Sequence, residues 1–243
     1  MAGGLSMQSF EKGTKIKNGV LSIINLYGTW RDMGRQYGSM MSSELADIYE
    51  NAVCKKLIDE LGFDADEIKN RAHKLFANFP FRFKEVMRGM AETSGLDIEA
   101  IQLVNALEFI ASDMLNPPQC TGIATWGDYA ADTLIYGRNY DYLPWLKKLH
   151  NDIVIAVYHP ADGSLATATL GYAGGIYAVN GMNEKGIFME LNNGMPSGGA
   201  LWYDSRVPSV ASLLGFLVDG ASLDEIESFF QTTKSNFAYI IGV

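Results

Sequence analysis

The chain has 243 residues, 48% hydrophobic and 19% charged, an ordinary globular balance with enough apolar mass for a sizeable core. Its net charge of −9 argues against nucleic acid as a general partner, and no apolar run reaches the roughly 18 residues of a membrane span. Two cysteines, Cys54 and Cys120, make no disulfide framework. With no CxxC and three scattered histidines (His73, His150, His159), no metal site is expected, and without a Walker loop or GxGxxG no nucleotide cofactor. The first seven residues carry no secretory pattern, and the compartment stays open.

The first predicted element is a short apolar strand over 19–27. A long helix should follow, with Thr29 as N-cap, Asp32 three residues on, and a stripe of Met33, Tyr37, Met40, Met41, Ile48, Val53 and Leu57. Gly62 stops it. Asp64 with Glu67 caps a second helix to about Asn78, which Pro80 ends; a third runs over 81–93 to Gly95, and a fourth over 98–114. Asn116-Pro117-Pro118 then closes helical structure and delivers the chain to Cys120.

Beyond this point charge thins out and the period changes. Strands are expected over 121–126 and 133–140, over 153–158 and 165–170 around Pro160-Ala161-Asp162-Gly163, and over 176–180 and 186–191 around Gly181-Met182-Asn183-Glu184-Lys185. Asn183 is expected to be the left-handed residue of that last turn. Helices over 207–218 and 223–232 follow, the second capped by Ser222 and Glu225, and a final apolar strand over 236–243. Hairpins followed by helices predict an α+β fold, an antiparallel sheet covered by helices. The last strand reads as the first arm of a hairpin, so the chain is expected to be C-terminally incomplete.

Cys54 lies within an apolar helix face and reads as a small buried hydrophobe. Cys120 stands at a sharp boundary between helix and strand. After it come Thr121-Gly122, then Gly137-Arg138-Asn139-Tyr140-Asp141 on the returning strand, then Gly181-Met182-Asn183-Glu184-Lys185-Gly186 and Leu191-Asn192-Asn193. A hairpin partner can bring Arg138 to the thiol, where a guanidinium favours thiolate. A surface turn pair is the plainer reading of Arg138 with Asp141.

A Cys-Thr start, a Gly-Arg-Asn-x-Asp element and a Gly-Met-Asn-Glu-Lys-Gly turn, in this order, resemble the choloylglycine hydrolase and penicillin acyltransferase superfamily. These are N-terminal-nucleophile (Ntn) hydrolases that include penicillin V acylases and acid ceramidase-like amidases. The long leader and the Gly28-to-Gly38 stretch look more like the acyltransferase and acid ceramidase side than the bile salt hydrolases. The resemblance implies an αββα sandwich, with residues 1–119 a helical segment cleaved before Cys120 and 120–243 the first part of the catalytic domain. It implies cleavage of Gln119–Cys120, Cys120 as nucleophile with its freed α-amine as base, Arg138 beside the thiol, and Asp141 bonded to that amine. Asn193 or Asn192 would serve the oxyanion hole, and the ungapped count favours Asn193. The second oxyanion asparagine is expected past Val243.

The expected reaction is hydrolysis of a linear, non-peptide amide C–N bond in a small molecule, such as an N-acyl amine, a phenoxyacyl amide or a peptide-like acyl conjugate, through an acyl-thioester. No cofactor is implied. The expected partners are that substrate and the chain's own cleaved leader; self-association stays open. Two rivals remain: an unprocessed scaffold or binding protein of the same fold, and an acyltransferase. Of the many aromatics downstream (Trp126, Tyr129, Tyr140, Tyr142, Trp145, Tyr172, Tyr177, Trp202, Tyr203), most should pack in the core or on the sheet, and those around Tyr142 to Trp145 are candidates for an acyl pocket.

Overall fold

A computed structural model of the chain describes residues 5–115, 120–141, 144–194 and 201–243. The fold is α+β, with ten strands and seven α-helices among the described residues. Eight strands form one sheet in the order β1 (Ser6–Phe10), β2 (Gly13–Asn18), β3 (Leu21–Gly28), β6 (Ile153–Pro160), β7 (Thr167–Tyr172), β8 (Asn180–Asn183), β9 (Phe188–Asn193) and β10 (Tyr239–Gly242). β4 (Thr121–Gly127) and β5 (Thr133–Asn139) make a separate hairpin. All neighbours in the large sheet run antiparallel except β3 and β6, which run parallel with Leu21 opposite Ile153.

Alternation along the strands shows which face is covered. Ser22, Ile24 and Leu26 of β3 and Val154, Ala156 and Tyr158 of β6 are buried, while Ile23, Ile155 and Val157 are only half-buried. The buried face packs against α1 (Trp30–Met40), α2 (Ser42–Ile48), α3 (Ala65–Asn78), α4 (Phe81–Thr93), α5 (Ile98–Leu115) and α6 (Ser209–Asp219) in one continuous apolar core. α7 (Leu223–Thr232) lies outside, mostly exposed, anchored by Ile226. On the other face the β4–β5 hairpin rests against β9, with the Tyr136 ring tilted against Phe188, centroids 5.0 Å apart. No described helix is long and apolar enough to cross a membrane.

Helix starts follow their predicted caps. Thr29 accepts from the Asp32 N–H at 3.2 Å and donates its own N–H to Asp32 at 3.1 Å; Asp64 and Ser222 cap α3 and α7. The single long helix expected after Thr29 is instead broken. Lys15 of β2 donates to the Met40 carbonyl at 2.8 Å and pairs with Glu44 at 2.7 Å, so a buried side chain takes the carbonyl that a continuous helix would have used. The chain restarts as α2 and continues through Tyr49–Glu60 with wider, π-type bonding to Gly62, which adopts φ 70°.

Residues 1–119 were predicted as helices behind one strand, and the structure adds β1 and β2. These strands, mostly Ser, Gln, Lys and Thr, lack an apolar run and are placed by strand pairing, by Phe10 on the core and by the buried bonds of Lys15. β8 begins at Asn180 rather than Ile176. The Gly181-Met182-Asn183 stretch is strand, and the left-handed residue of the following turn is Gly186 (φ 81°), not Asn183. Asn183 is buried. Its amide donates to the carbonyls of Leu217 (2.9 Å) and Gly220 (2.8 Å) and accepts from the N–H groups of Lys185 and Ile187, locking the hairpin to the end of α6.

Candidate active site

Cys120 immediately precedes β4, and the hairpin register sets Gly122 opposite Arg138 and Thr121 opposite Asn139. Arg138 reaches back across the hairpin, with Nη2 3.5 Å from Cys120 Sγ. The same guanidinium donates from Nε to Glu190 Oε2 at 3.0 Å and from Nη2 to the Leu191 carbonyl at 2.5 Å, and it lies 4.9 Å over the Tyr140 ring. Arg138 and Glu190 are buried, with side chains 9% and 2% exposed, so their pairing is little screened by solvent.

Glu190 is the hub of this layer. Its Oε1 accepts from the Tyr136 hydroxyl at 2.6 Å and from Asn192 Nδ2 at 2.8 Å, while Oε2 takes Arg138. Gly122 makes room for it: a Cβ there would lie 2.3 Å from the Tyr136 hydroxyl and 3.0 Å from Glu190 Oε1. The glycine two residues after the cysteine is thus required by close approach.

Cys120 lines a small cavity of about 40 Å³ together with Arg138, Tyr140, Tyr177, Asn193 and, from α5, Glu108. Phe109, Val210 and Phe237 close its apolar side. Across Arg138 and Tyr140 lies a larger, mostly apolar groove of about 330 Å³, walled by Tyr136, Ile153, Leu170, Tyr172 and Phe188. Burial pushes the half-buried Cys120 thiol up; Arg138 and a hydrogen bond from the Asp141 backbone N–H pull it down, while Glu108 and Glu190 push it up, and the net is upward. The environment of the sulfur therefore favours the thiol over the thiolate.

Of the residues singled out from sequence, Cys120, Arg138 and Asn193 meet at this cavity. Asn192 faces the opposite side of β9, where it holds Glu190. Asp141 offers its N–H to the thiol, but its carboxylate is exposed and accepts from Asn139 Nδ2 at 2.5 Å. Gln119 and Tyr142 lie outside the described residues. Among the other aromatics, Tyr140, Tyr172 and Tyr177 line the two cavities, Trp145 packs on the core, and Trp126 and Tyr129 stand exposed on the hairpin. Cys54 is half-buried on the π-type stretch, hydrogen-bonded to Tyr49, and burial pushes its thiol up. No group of described residues is arranged to hold a metal ion.

Sequence reading missed Glu190, Tyr136 and Glu108. The two acids leave a faint signal, since each interrupts an apolar run, Met189-Glu190-Leu191 and Leu107-Glu108-Phe109. Such interruptions are costly unless paired, which marks them for a partner without saying which. No protein-family model matches the chain, and a search of curated proteins returns no match.

Proposed function

We propose that the chain is a self-processing amide hydrolase of the Ntn type, in which Cys120 first cuts the Gln119–Cys120 bond and then, as the new N-terminal residue, attacks the carbonyl of a linear amide substrate. The observation that carries this reading is the Arg138 guanidinium, held by Glu190, 3.5 Å from a cysteine that opens a strand beside a cavity. In self-cleavage, Sγ adds to the Gln119 carbonyl carbon, the C–N bond breaks to leave a thioester and a free Cys120 amine, and water releases the leader as a carboxylic acid and regenerates the thiol.

The upward push on the thiol in the uncut chain supports this order. Burial opposes thiolate, so a base must accompany the sulfur, and cleavage creates one: an α-amine with an ordinary pKa of about 7.7–8.0. In turnover that amine takes the thiol proton, the acyl group passes to sulfur, the leaving amine departs with the proton, and water resolves the thioester. Asn193, at the cavity with Cys120, is the proposed donor to the oxyanion, and Asp141 the proposed partner of the amine. The apolar groove beyond Arg138 suits the acyl portion of an N-acyl amine or phenoxyacyl amide.

Intact mass measurement of the full chain and of Cys120→Ala tests the proposal. The wild type should yield a fragment beginning at Cys120 and release acid from N-acyl amides, and Cys120→Ala should do neither. Normal processing by Cys120→Ala overturns it. Product analysis with a competing amine separates hydrolysis from acyl transfer.

A further inference from the structure

Glu108 reaches the Cys120 cavity from the helix side, on the last two turns of α5 and within the segment to be cut away. The hydroxyls of Tyr140 and Tyr177 face its carboxyl and favour its charged form, and its charge is felt by the Cys120 thiol. We propose that Glu108 exchanges a proton with Cys120 across this cavity while the Gln119–Cys120 bond is cut, making it the proton carrier of self-cleavage. The inference rests on the self-cleavage reading above.

The step balances within the molecule. As Sγ bonds to the Gln119 carbonyl carbon, the thiol proton passes to one oxygen of the Glu108 carboxyl. The proton already on its other oxygen passes to the Cys120 nitrogen as the C–N bond breaks. One proton has moved from sulfur to nitrogen, and the carboxyl is restored. A cavity of about 40 Å³, mostly apolar but with Glu108, Cys120, Arg138 and Asn193 on its wall, has room and polar partners for a bridging water, which needs roughly 10–15 Å³. The other acids near the thiol are unsuited. Both oxygens of Glu190 are taken by Arg138, Tyr136 and Asn192, and the exposed Asp141 carboxylate is held by Asn139.

Glu108 is equipped to keep its proton. Burial pushes its carboxyl up, against the pull of the Tyr140 and Tyr177 hydroxyls and the charge of Arg138. The remaining titratable groups that sense it are Cys120, Tyr172 and Tyr239, each itself pushed up by burial and so neutral. Among the described residues Arg138 is therefore the one cation facing it, and the carboxyl loses its proton only as pH rises through its raised range. Cleavage that depends on the protonated form slows over that rise.

The test follows appearance of the fragment beginning at Cys120 in the full chain, from acid to neutral pH, for the wild type, Glu108→Gln and Glu108→Asp, with circular dichroism as the folding control. The wild type should cleave fastest in acid. Glu108→Gln should fold, cleave slower by about 100-fold, in the range for loss of a general acid–base group, and lose the fall with rising pH. Glu108→Asp should keep that fall at a shifted position. A Glu108→Gln protein with wild-type rate and pH profile overturns the role of Glu108 alone. If Glu108→Gln does not fold, Glu108→Asp decides, and an unshifted profile overturns the proposal. A wild type that never cleaves overturns the self-cleavage reading and this step with it.

Discussion

At the scale of single residues, the site is built on charges that are expensive to strand. Glu190 neutralises Arg138 in a place where neither meets solvent, so removing one leaves the other buried alone. Glu190→Ala should cost about 3–5 kcal/mol of stability, read as a lowered urea midpoint, and should slow alkylation of Cys120 as Arg138 loses its hold. A loss below 1 kcal/mol, on the order of an exposed pair, would contradict the burial. Asp152 makes a second prediction, at the far end of β6. Burial first, and then the neighbouring Asp47 carboxyl, push it up to about 8; Glu44 adds to the push, and Lys17 opposes it. The folded value lies above the ordinary 3.8, so the folded state holds the proton more tightly. The contribution to stability is full in acid and is lost as pH rises through about 8. The melting temperature should fall as pH rises from about 4 to about 8 and level off above that, and Asp152→Asn should flatten that fall. An unchanged slope in the variant would assign the pH dependence to other groups.

Elements are positioned by backbone contact as much as by side chains. α1 and α4 touch where both carry glycine: a Cβ on Gly34 would lie 2.1 Å from the Val86 carbonyl oxygen, and one on Gly89 2.3 Å from that of Arg31. Alanine cannot fit unless the helices separate. Gly34→Ala should cost about 1–3 kcal/mol or somewhat more, although alanine is the better helix former. Thr29→Ala removes only the α1 cap and should cost about 1 kcal/mol. Thermal unfolding of the two variants checks the order, and a Gly34→Ala protein at least as stable as wild type would mean that α1 and α4 are not in backbone contact.

For the whole molecule, the decisive feature is that the large sheet crosses the proposed cut. β3 belongs to the leader and β6 to the remainder, yet they pair along their full length, and α1 to α5 share one core with α6. Breaking Gln119–Cys120 removes one covalent bond and none of these contacts. The two pieces should co-elute in gel filtration under native conditions and separate only in denaturant. Release of the leader under native conditions would show that this pairing is too weak to hold it. Glu108, carried by the leader, would then stay at the cavity after cleavage.

The sequence alone determined the local elements whose signals are local. The caps at Thr29, Asp64 and Ser222, the stop at Gly62, the β4–β5 and β6–β7 hairpins, and the approach of Arg138 to Cys120 all follow from residues a few positions apart or opposite and diagonal within one hairpin. Tertiary structure decided what depends on distant partners. The break after Met40 needs Lys15, the contacts of Asn183 need the end of α6, and which of Asn192 and Asn193 lines the cavity depends on the two sides of β9. The strands β1 and β2 carry no apolar period and exist because β3 offers an edge. An acid set into an apolar run, such as Glu190 or Glu108, declares only that it must be compensated; which groups compensate it is fixed when the hairpin, β9 and α5 converge.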